Sequence, residues 1–471
     1  MQTTHKKSIL YITLLIAITI TALAYSKINP PPNPVSTNPT AAPLSVSGEL
    51  TQKKISFNGD RKVGVVLTLS ANQDKPDPTT TNRNGVNFII VMDRSGSMQG
   101  NKINQAKTAI KEITTRLIPG DQIGLISYSD SVHTDFPLQP VTKANKSIIH
   151  QAINNLHAGG GTNLGAGLRE GIKQASGNIY ENNTKLILIS DGMANQGITQ
   201  PDELAKLAHE AIRLEASLST VGVGLDFNEY LMTTLADHGG GSYHFLENPL
   251  AFANTFEQEL LSTGIASAVN IEVHVPTVKD ITLIDGSGYP LEHQQGETIF
   301  RPGSILPGTN RRLFLTFQVS ASNPADYAIN GITVNYQHQN TNQIISLDQP
   351  LLVSCVDNEK EALASVNKEA WRDKVMQDDM NKLRGQVAKE VKDGKKETAL
   401  RYLSEYKIKN DKVNRTVSHK VAAEAEEELA SLTEQVEDTF SGAPAAISRK
   451  QKKASKTMQH QSYEGRRDIK M

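Results

Sequence analysis

Cysteine is nearly missing from this 471-residue chain: Cys355 stands alone, so no disulfide can close within it and no site built on several thiolates can exist. Charge of one sign is missing too. The formal net charge of −1 gives the whole molecule no electrostatic bias toward nucleic acid, and no nucleic-acid partner is expected. There is no G-x-x-x-x-G-K-[ST] phosphate loop, and Gly394-Lys395-Lys396 lies in charged, helical sequence. His209-Glu210 opens like a zinc-protease signature, but Arg213 occupies the place of the second histidine. The other histidines are scattered and read as core or surface residues. Cys355, in the strand-like run Leu351 to Val356, reads as a buried thiol. With 38% hydrophobic and 21% charged residues, nothing suggests a polytopic membrane protein.

What is present begins with a targeting pattern. Lys6 and Lys7 precede an apolar run from Ile9 to Ala24 that ends in Ala22-Leu23-Ala24, so residues 1–25 read as a secretory signal peptide or an uncleaved membrane anchor. Either way the body is expected outside the cytoplasm, in the periplasm, at the cell surface or tethered to the inner membrane, with the lysines inside. Residues 26–43 carry six prolines, from Pro30 to Pro43, and read as an extended spacer. At roughly 100 to 200 residues per domain, the remainder should hold two or three units.

From 85 to 263 short apolar runs alternate with amphipathic stretches, which predicts an α/β doubly wound sheet. The expected strands are Phe88 to Met92, Ile123 to Tyr128, Leu186 to Ser190 and Thr220 to Val223, with an antiparallel edge near Val132 to Leu138. Helices are expected over Lys102 to Leu117, Leu164 to Ala175, Pro201 to Glu215 and Tyr230 to Ala236. In such sheets ligands bind at the carboxyl ends of the strands. Three loops there are rich in oxygen donors. Asp93-Arg94-Ser95-Gly96-Ser97-Met98 follows the first strand, and in an extended turn Asp93, Ser95 and Ser97 would project together. Gly159-Gly160-Gly161-Thr162-Asn163 adds a hydroxyl where a helix begins, and Asp191-Gly192-Met193-Ala194-Asn195 adds a carboxylate. A helix-capping role would need only one such residue and leaves Thr162 and Asp191 unexplained.

Over residues 85–263 this pattern resembles the von Willebrand factor A (vWA) domain with its metal-ion-dependent adhesion site (MIDAS). Asp93-x-Ser95-x-Ser97, Thr162 and Asp191 fill all five motif positions. The resemblance implies a Rossmann-like fold, with Ser95 and Ser97 as direct metal ligands, Thr162 direct or through water, and Asp93 and Asp191 mainly in the outer shell. An oxygen-only set suits Mg²⁺ or Mn²⁺. It further implies a metal-dependent protein-protein interaction, in adhesion or assembly, in which a partner Asp or Glu completes the coordination shell; Met98, Asn163 and Met193 are expected to form the rim around it. No enzymatic activity is expected. A metal-assisted hydrolase, for which the loops lack a nearby general base, and a scaffold with a purely structural metal are the alternatives.

Residues 44–70 and 269–356 both show period-2 alternation with turn signals, and are expected to form one β-sandwich with the α/β domain inserted. Residues 358–440 read as a helical segment of two or three helices with breaks near Gly394 and Asn410, and 441–471 as a basic, disordered tail. This layout resembles bacterial relatives of inter-alpha-trypsin inhibitor heavy chains and calcium-activated chloride channel regulators.

Overall fold

A computed structural model describes residues 43–72, 85–177, 182–191, 194–246, 266–320, 323–339 and 341–467. The signal or anchor segment and all but the last residue of the proline-rich spacer lie outside these. Three strands open the described chain: β1 (Leu44–Leu50), β2 (Lys54–Ser56) and β3 (Lys62–Ala71). Then comes the α/β unit: β4 (Val86–Asp93), α1 (Asn101–Arg116), β5 (Gln122–Tyr128), β6 (Val132–Pro140), α2 (Lys143–Asn155), α3 (Leu164–Ser176), β7 (Asn183–Ser190), α4 (Pro201–Arg213), β8 (Ala216–Val223), α5 (Glu229–His238) and β9 (Gly240–Leu246). Its six strands run in the order β6-β5-β4-β7-β8-β9, all parallel except the edge strand β6. The doubly wound class read from the sequence is the class observed.

Strand β4 lies at the heart of this sheet with every residue buried, which is why it reads as an unbroken apolar run. Alternation sends Phe88, Ile90 and Met92 to one face, against Ile103 and Ile110 of α1 and Ile149 and Ile153 of α2. Ile89 and Val91 face the other way, against Leu168 of α3, Leu204 of α4 and Leu235 of α5. Each such side chain contributes about 1.5 to 3 kcal/mol by leaving water.

The later strands are β10 (Val269–Pro276), β11 (Ile281–Gly286), β12 (Glu292–Gln294), β13 (Glu297–Phe300), β14 (Asn310–Val319), β15 (Asp326–Ile329), β16 (Thr333–His338), β17 (Thr341–Ser346) and β18 (Leu351–Val356). They join the early strands directly. One sheet runs β1-β3-β14-β11, another β12-β13-β10-β16-β17, and a third β15-β18-β2. Leu67 of β3 lies opposite Leu313 of β14, and Val65 opposite Leu315. Val63, Val65, Leu67 and Leu69 share one core with Val273, Phe300, Leu315 and Phe317, so sequence from both sides of the α/β unit closes a single interior.

Seven helical pieces follow: α6 (Glu359–Ala364), α7 (Lys368–Asp373), a π-turn at Lys374–Asp379, α8 (Met380–Lys392), α9 (Lys396–Val417), α10 (His419–Thr439) and α11 (Pro444–Arg466). Gly394 does break the chain, at φ +74°. Asn410 does not: its amide donates back to the Tyr406 carbonyl inside a continuous α9, and the break falls at Ser418, whose hydroxyl caps α10. The basic tail is corrected as well. Residues 444–466 form a helix that buries Met458 and Tyr463, and the helix and its C-cap meet carboxylates of distant elements, Lys456 reaching Glu229 at 2.7 Å and the capping Arg467 reaching Asp237 at 2.6 Å. A count of local charge made this segment look disordered because its counter-charges lie some 230 residues away in sequence.

Candidate metal centre at the rim of the central sheet

The chain leaves β4 at Asp93 and turns at once, with Gly96–Met98 in a single 3-10 turn. Asp93 is fully buried: one carboxylate oxygen accepts from the Ser95 amide (2.8 Å), the other from the Ser190 hydroxyl (2.6 Å). Burial pushes its pKa above the usual carboxylate value, while the hydrogen bonds from Ser190 and Ser95 pull it back. The turn, not an extended projection, brings Ser95 Oγ within 3.1 Å of Ser97 Oγ. Ser97 Oγ in turn donates to Asp191 Oδ1 at 2.7 Å. Four of the five residues read from the sequence are thereby linked side chain to side chain or through one amide.

Thr162 joins through the backbone. Its loop is tied to the first by Gly96 N donating to Gly160 O (2.9 Å) and Gly159 N to Arg94 O (2.8 Å). Gly160 has φ +82°, and a Cβ there would stand 2.1 Å from the Asp130 carboxylate, so glycine is required twice over. The third loop is tied in by Asn195, whose side chain accepts from the Thr162 amide (2.8 Å) and whose own amide donates to the Thr162 carbonyl (3.1 Å). Thr162 is buried, and Asn163 beside it caps α3 by accepting from the Ala166 amide. Asp130 braces the glycine loop from outside, accepting from Gly161 N (2.7 Å) and Gln196 Nε2 (2.5 Å); these bonds hold its carboxyl below the usual range.

The rim expected around this centre is corrected in part. Met98 is completely buried, packed with the apolar core between the sheet and α1. Asn163 is partly exposed, and Met193 lies outside the described residues. Four contributors escaped the sequence reading: Ser190, Asn195, Asp130 and Lys102, whose ammonium pairs with Asp191 Oδ2. Lys102 left one local sign, a cation in the first turn of a helix with no acid there, where the helix dipole disfavours it.

Every donor at this point is oxygen. Among the described residues no group of three or more His, Cys, Asp or Glu converges, so an ion held here would rest on hydroxyls and water beside the two carboxylates. Adjacent ligands of an octahedral ion at about 2.1 Å stand about 3 Å apart, close to the observed spacings of Ser95 to Ser97 and Ser97 to Asp191. The donors fit a hard divalent cation. They sit where β4 lies between β5 and β7, the point at which the strand order reverses and open α/β sheets bind their ligands.

The family model described as von Willebrand factor type A domain matches residues 87–258. This stretch is a von Willebrand factor type A domain. An uncharacterised protein of Synechocystis is 26% identical over 276 residues, covering 56% of this chain and 65% of its own length. YfbK of Escherichia coli is 28% identical over 192 residues, 40% of this chain and 33% of that protein. Inter-alpha-trypsin inhibitor heavy chain H1 of Mesocricetus auratus is 32% identical over 162 residues, 32% of this chain and 18% of that one. The chain thus spans less than two-thirds of each of these relatives. Two solved structures share the fold beyond the A domain. A von Willebrand factor type A protein from Catenulispora acidiphila superposes with TM-score 0.68 at 16% identity, covering 91% of this chain and 98% of that one. The ArnB paralog VWA2 from Sulfolobus acidocaldarius gives 0.54 at 18% identity, with 88% and 98% covered. A domains commonly mediate protein–protein interaction.

Proposed function

We propose that this protein is a metal-dependent protein-binding module of the cell envelope, in adhesion or assembly, and not an enzyme. Ser95, Ser97 and Thr162 would hold Mg²⁺ or Mn²⁺, with Asp93 and Asp191 acting through water or through the hydroxyls. One observation carries the reading: the unbroken oxygen chain from Ser95 through Ser97 to Asp191, backed by the buried Asp93 at the carboxyl end of β4. Because the nearest donors are neutral hydroxyls, an ion there would keep net positive charge and an exchangeable position for an anionic oxygen. A partner Asp or Glu supplies that oxygen best in a partly desolvated site. Export follows from the charged-then-apolar N-terminal sequence.

Calorimetry with Mg²⁺ and Mn²⁺ tests the metal. Binding in the millimolar range or tighter, lost in an Asp93→Ala/Ser95→Ala double variant, is expected; unchanged binding in the variant rejects the site. Affinity selection with Mg²⁺ against chelator tests the partner, with Thr162→Ala weakening capture by about tenfold or more. Replacing the partner's acidic residue by Asn or Gln should abolish the Mg²⁺ dependence. For location, a reporter active only outside the cytoplasm, fused after Ile469, should be active.

A further inference from the structure

Lys102 is the cationic side chain that pairs with Asp191 at the centre, and its surroundings are specific. Its ammonium holds Asp191 Oδ2 while Ser97 holds Oδ1, so both oxygens of that carboxylate are engaged. The Asp191 side chain is 0% exposed and that of Lys102 is 26% exposed, so the lysine reaches inward from the surface. Gly224, just past β8, shapes its path: a Cβ at that position would lie 3.0 Å from Lys102 Cε, and the backbone there has φ +81°. Two residues on stands Asp226, an exposed carboxylate paired with Lys452 of α11 at 2.7 Å. Its carboxyl is held below the usual range, first by the hydrogen bond from Lys452, with Lys102 adding to the effect. Lys102 therefore holds one buried carboxylate, Asp191, while its charge also acts on a second, Asp226, at the surface.

We propose that Lys102 is a built-in competitor for the divalent ion: it neutralises Asp191 when the site is empty and must leave that carboxylate, over Gly224 toward Asp226, for the ion to be held. This rests on the metal-site reading above. A wholly buried carboxylate without a countercharge is costly, which gives the lysine a role in the empty state. An ammonium and a dication a few ångströms apart repel in a partly desolvated site, so Lys102 on Asp191 Oδ2 opposes an ion that the same carboxylate steadies through water or through Ser97. Part of the binding free energy of the ion is spent in displacing Lys102, and the affinity is lowered accordingly.

The test uses the full chain, with Mg²⁺ and Mn²⁺ as probes. Lys102→Met should bind either ion about tenfold or more tightly than the parent by calorimetry, whereas Lys102→Arg, which keeps the competing charge, should stay near the parent. Without metal, Lys102→Met should melt below the parent, and saturating Mg²⁺ should remove that difference. Lys102→Gln, which can still donate to Asp191 without charge, gives the same test if Lys102→Met does not fold. Ion binding by the neutral variants alone would support the proposal in its strongest form. If the parent binds Mg²⁺ and neither neutral variant binds more tightly, or if melting falls equally with and without metal, the competitor role is overturned while the metal site stands. If neither parent nor variants bind, both fall.

Discussion

Two groups of buried or half-buried carboxylates, one at the rim of the A-domain sheet and one beneath α11, are satisfied in different ways. At the rim of the A-domain sheet Asp93 is held by a hydroxyl and an amide, and Asp191 by one hydroxyl and one reaching lysine. Beneath α11 the carboxylates meet cations of the same chain: Asp237 with Arg467 (2.6 Å), Glu229 with Lys456 (2.7 Å) and Lys392 (3.0 Å), Asp285 with Arg466 (2.9 Å) and Lys382 (2.7 Å). Burial alone would push Glu229 up, but Lys456 and Lys392 outweigh it and hold it below its ordinary value. Neutral donors, as at Asp93, solvate an anion without cancelling its charge, whereas an ion pair cancels it. The first arrangement leaves room for a cation from outside; the second closes a joint.

The sharpest way to break that contrast is to open the closed joint. Arg467→Ala strands a buried Asp237 and should cost about 3 to 5 kcal/mol in chemical denaturation, with α11 becoming the first site of limited proteolysis. A loss under about 1 kcal/mol would mean that the pair is not holding the helix. Asp191→Asn probes the open arrangement: Mg²⁺ affinity should fall by about tenfold or more, worth about 1.4 kcal/mol, while the half-reaching Lys102 rehydrates and the fold loses less than in Arg467→Ala.

A pH experiment separates the two regions further. On α11, burial pushes Glu464 up to about 7 and His460, 3.4 Å away, down to about 4, so around pH 6 both are largely neutral. A raised carboxyl pKa favours the protonated form in the folded state. Its stabilisation is complete below the ordinary value of 4.5 and is lost as pH rises through about 7. His460 has the opposite sign, its stabilisation being present above 6.5 and lost as pH falls through about 4. Glu464→Gln should therefore remove about 1 kcal/mol of the parent's loss between pH 4.5 and 7, read as the difference between the two melting profiles. The smallest effect belongs to the exposed pair Lys452–Asp226: Lys452→Ala should change stability by no more than about 0.5 kcal/mol.

The same contrast explains what could be read in the sequence. The rim was legible because its parts are local: a continuous apolar strand such as Phe88 to Met92 announces burial on both faces, and the loop that follows carries its donors within five residues. Thr162 and Asp191 were legible because each also sits at an element boundary. Lys102 was not, since its partner is 89 residues away and nothing local marks an ion pair. Met98 was misplaced because a methionine after a strand end looks the same whether a 3-10 turn tucks it under the sheet or leaves it at the surface. The α11 helix was hidden for the reason that hid Lys102, since Lys456, Arg466 and Arg467 read as solvated charge until their acids are placed. Helix α2 buries only Ile149 and Ile153, and β9 opens on two glycines, so neither gave a clear period.

The pairing of β3 with β14 also sets the order of events during synthesis. Gln318 at the end of β14 donates to the Asp60 carbonyl just before β3, across 258 residues. At about 5 to 20 residues per second, the ribosome delivers the later strand roughly 13 to 50 s after the earlier one. For that interval β3, an apolar strand with both edges in demand, is on the nascent chain with only β1 for company, while the A domain has time to fold alone. Closing so long a loop is cheapest once the intervening domain is compact and its ends are near each other. The sandwich is thus expected to form last, and pulse-labelled nascent chains arrested after residue 263 should show a protease-resistant A domain beside a still-sensitive β3.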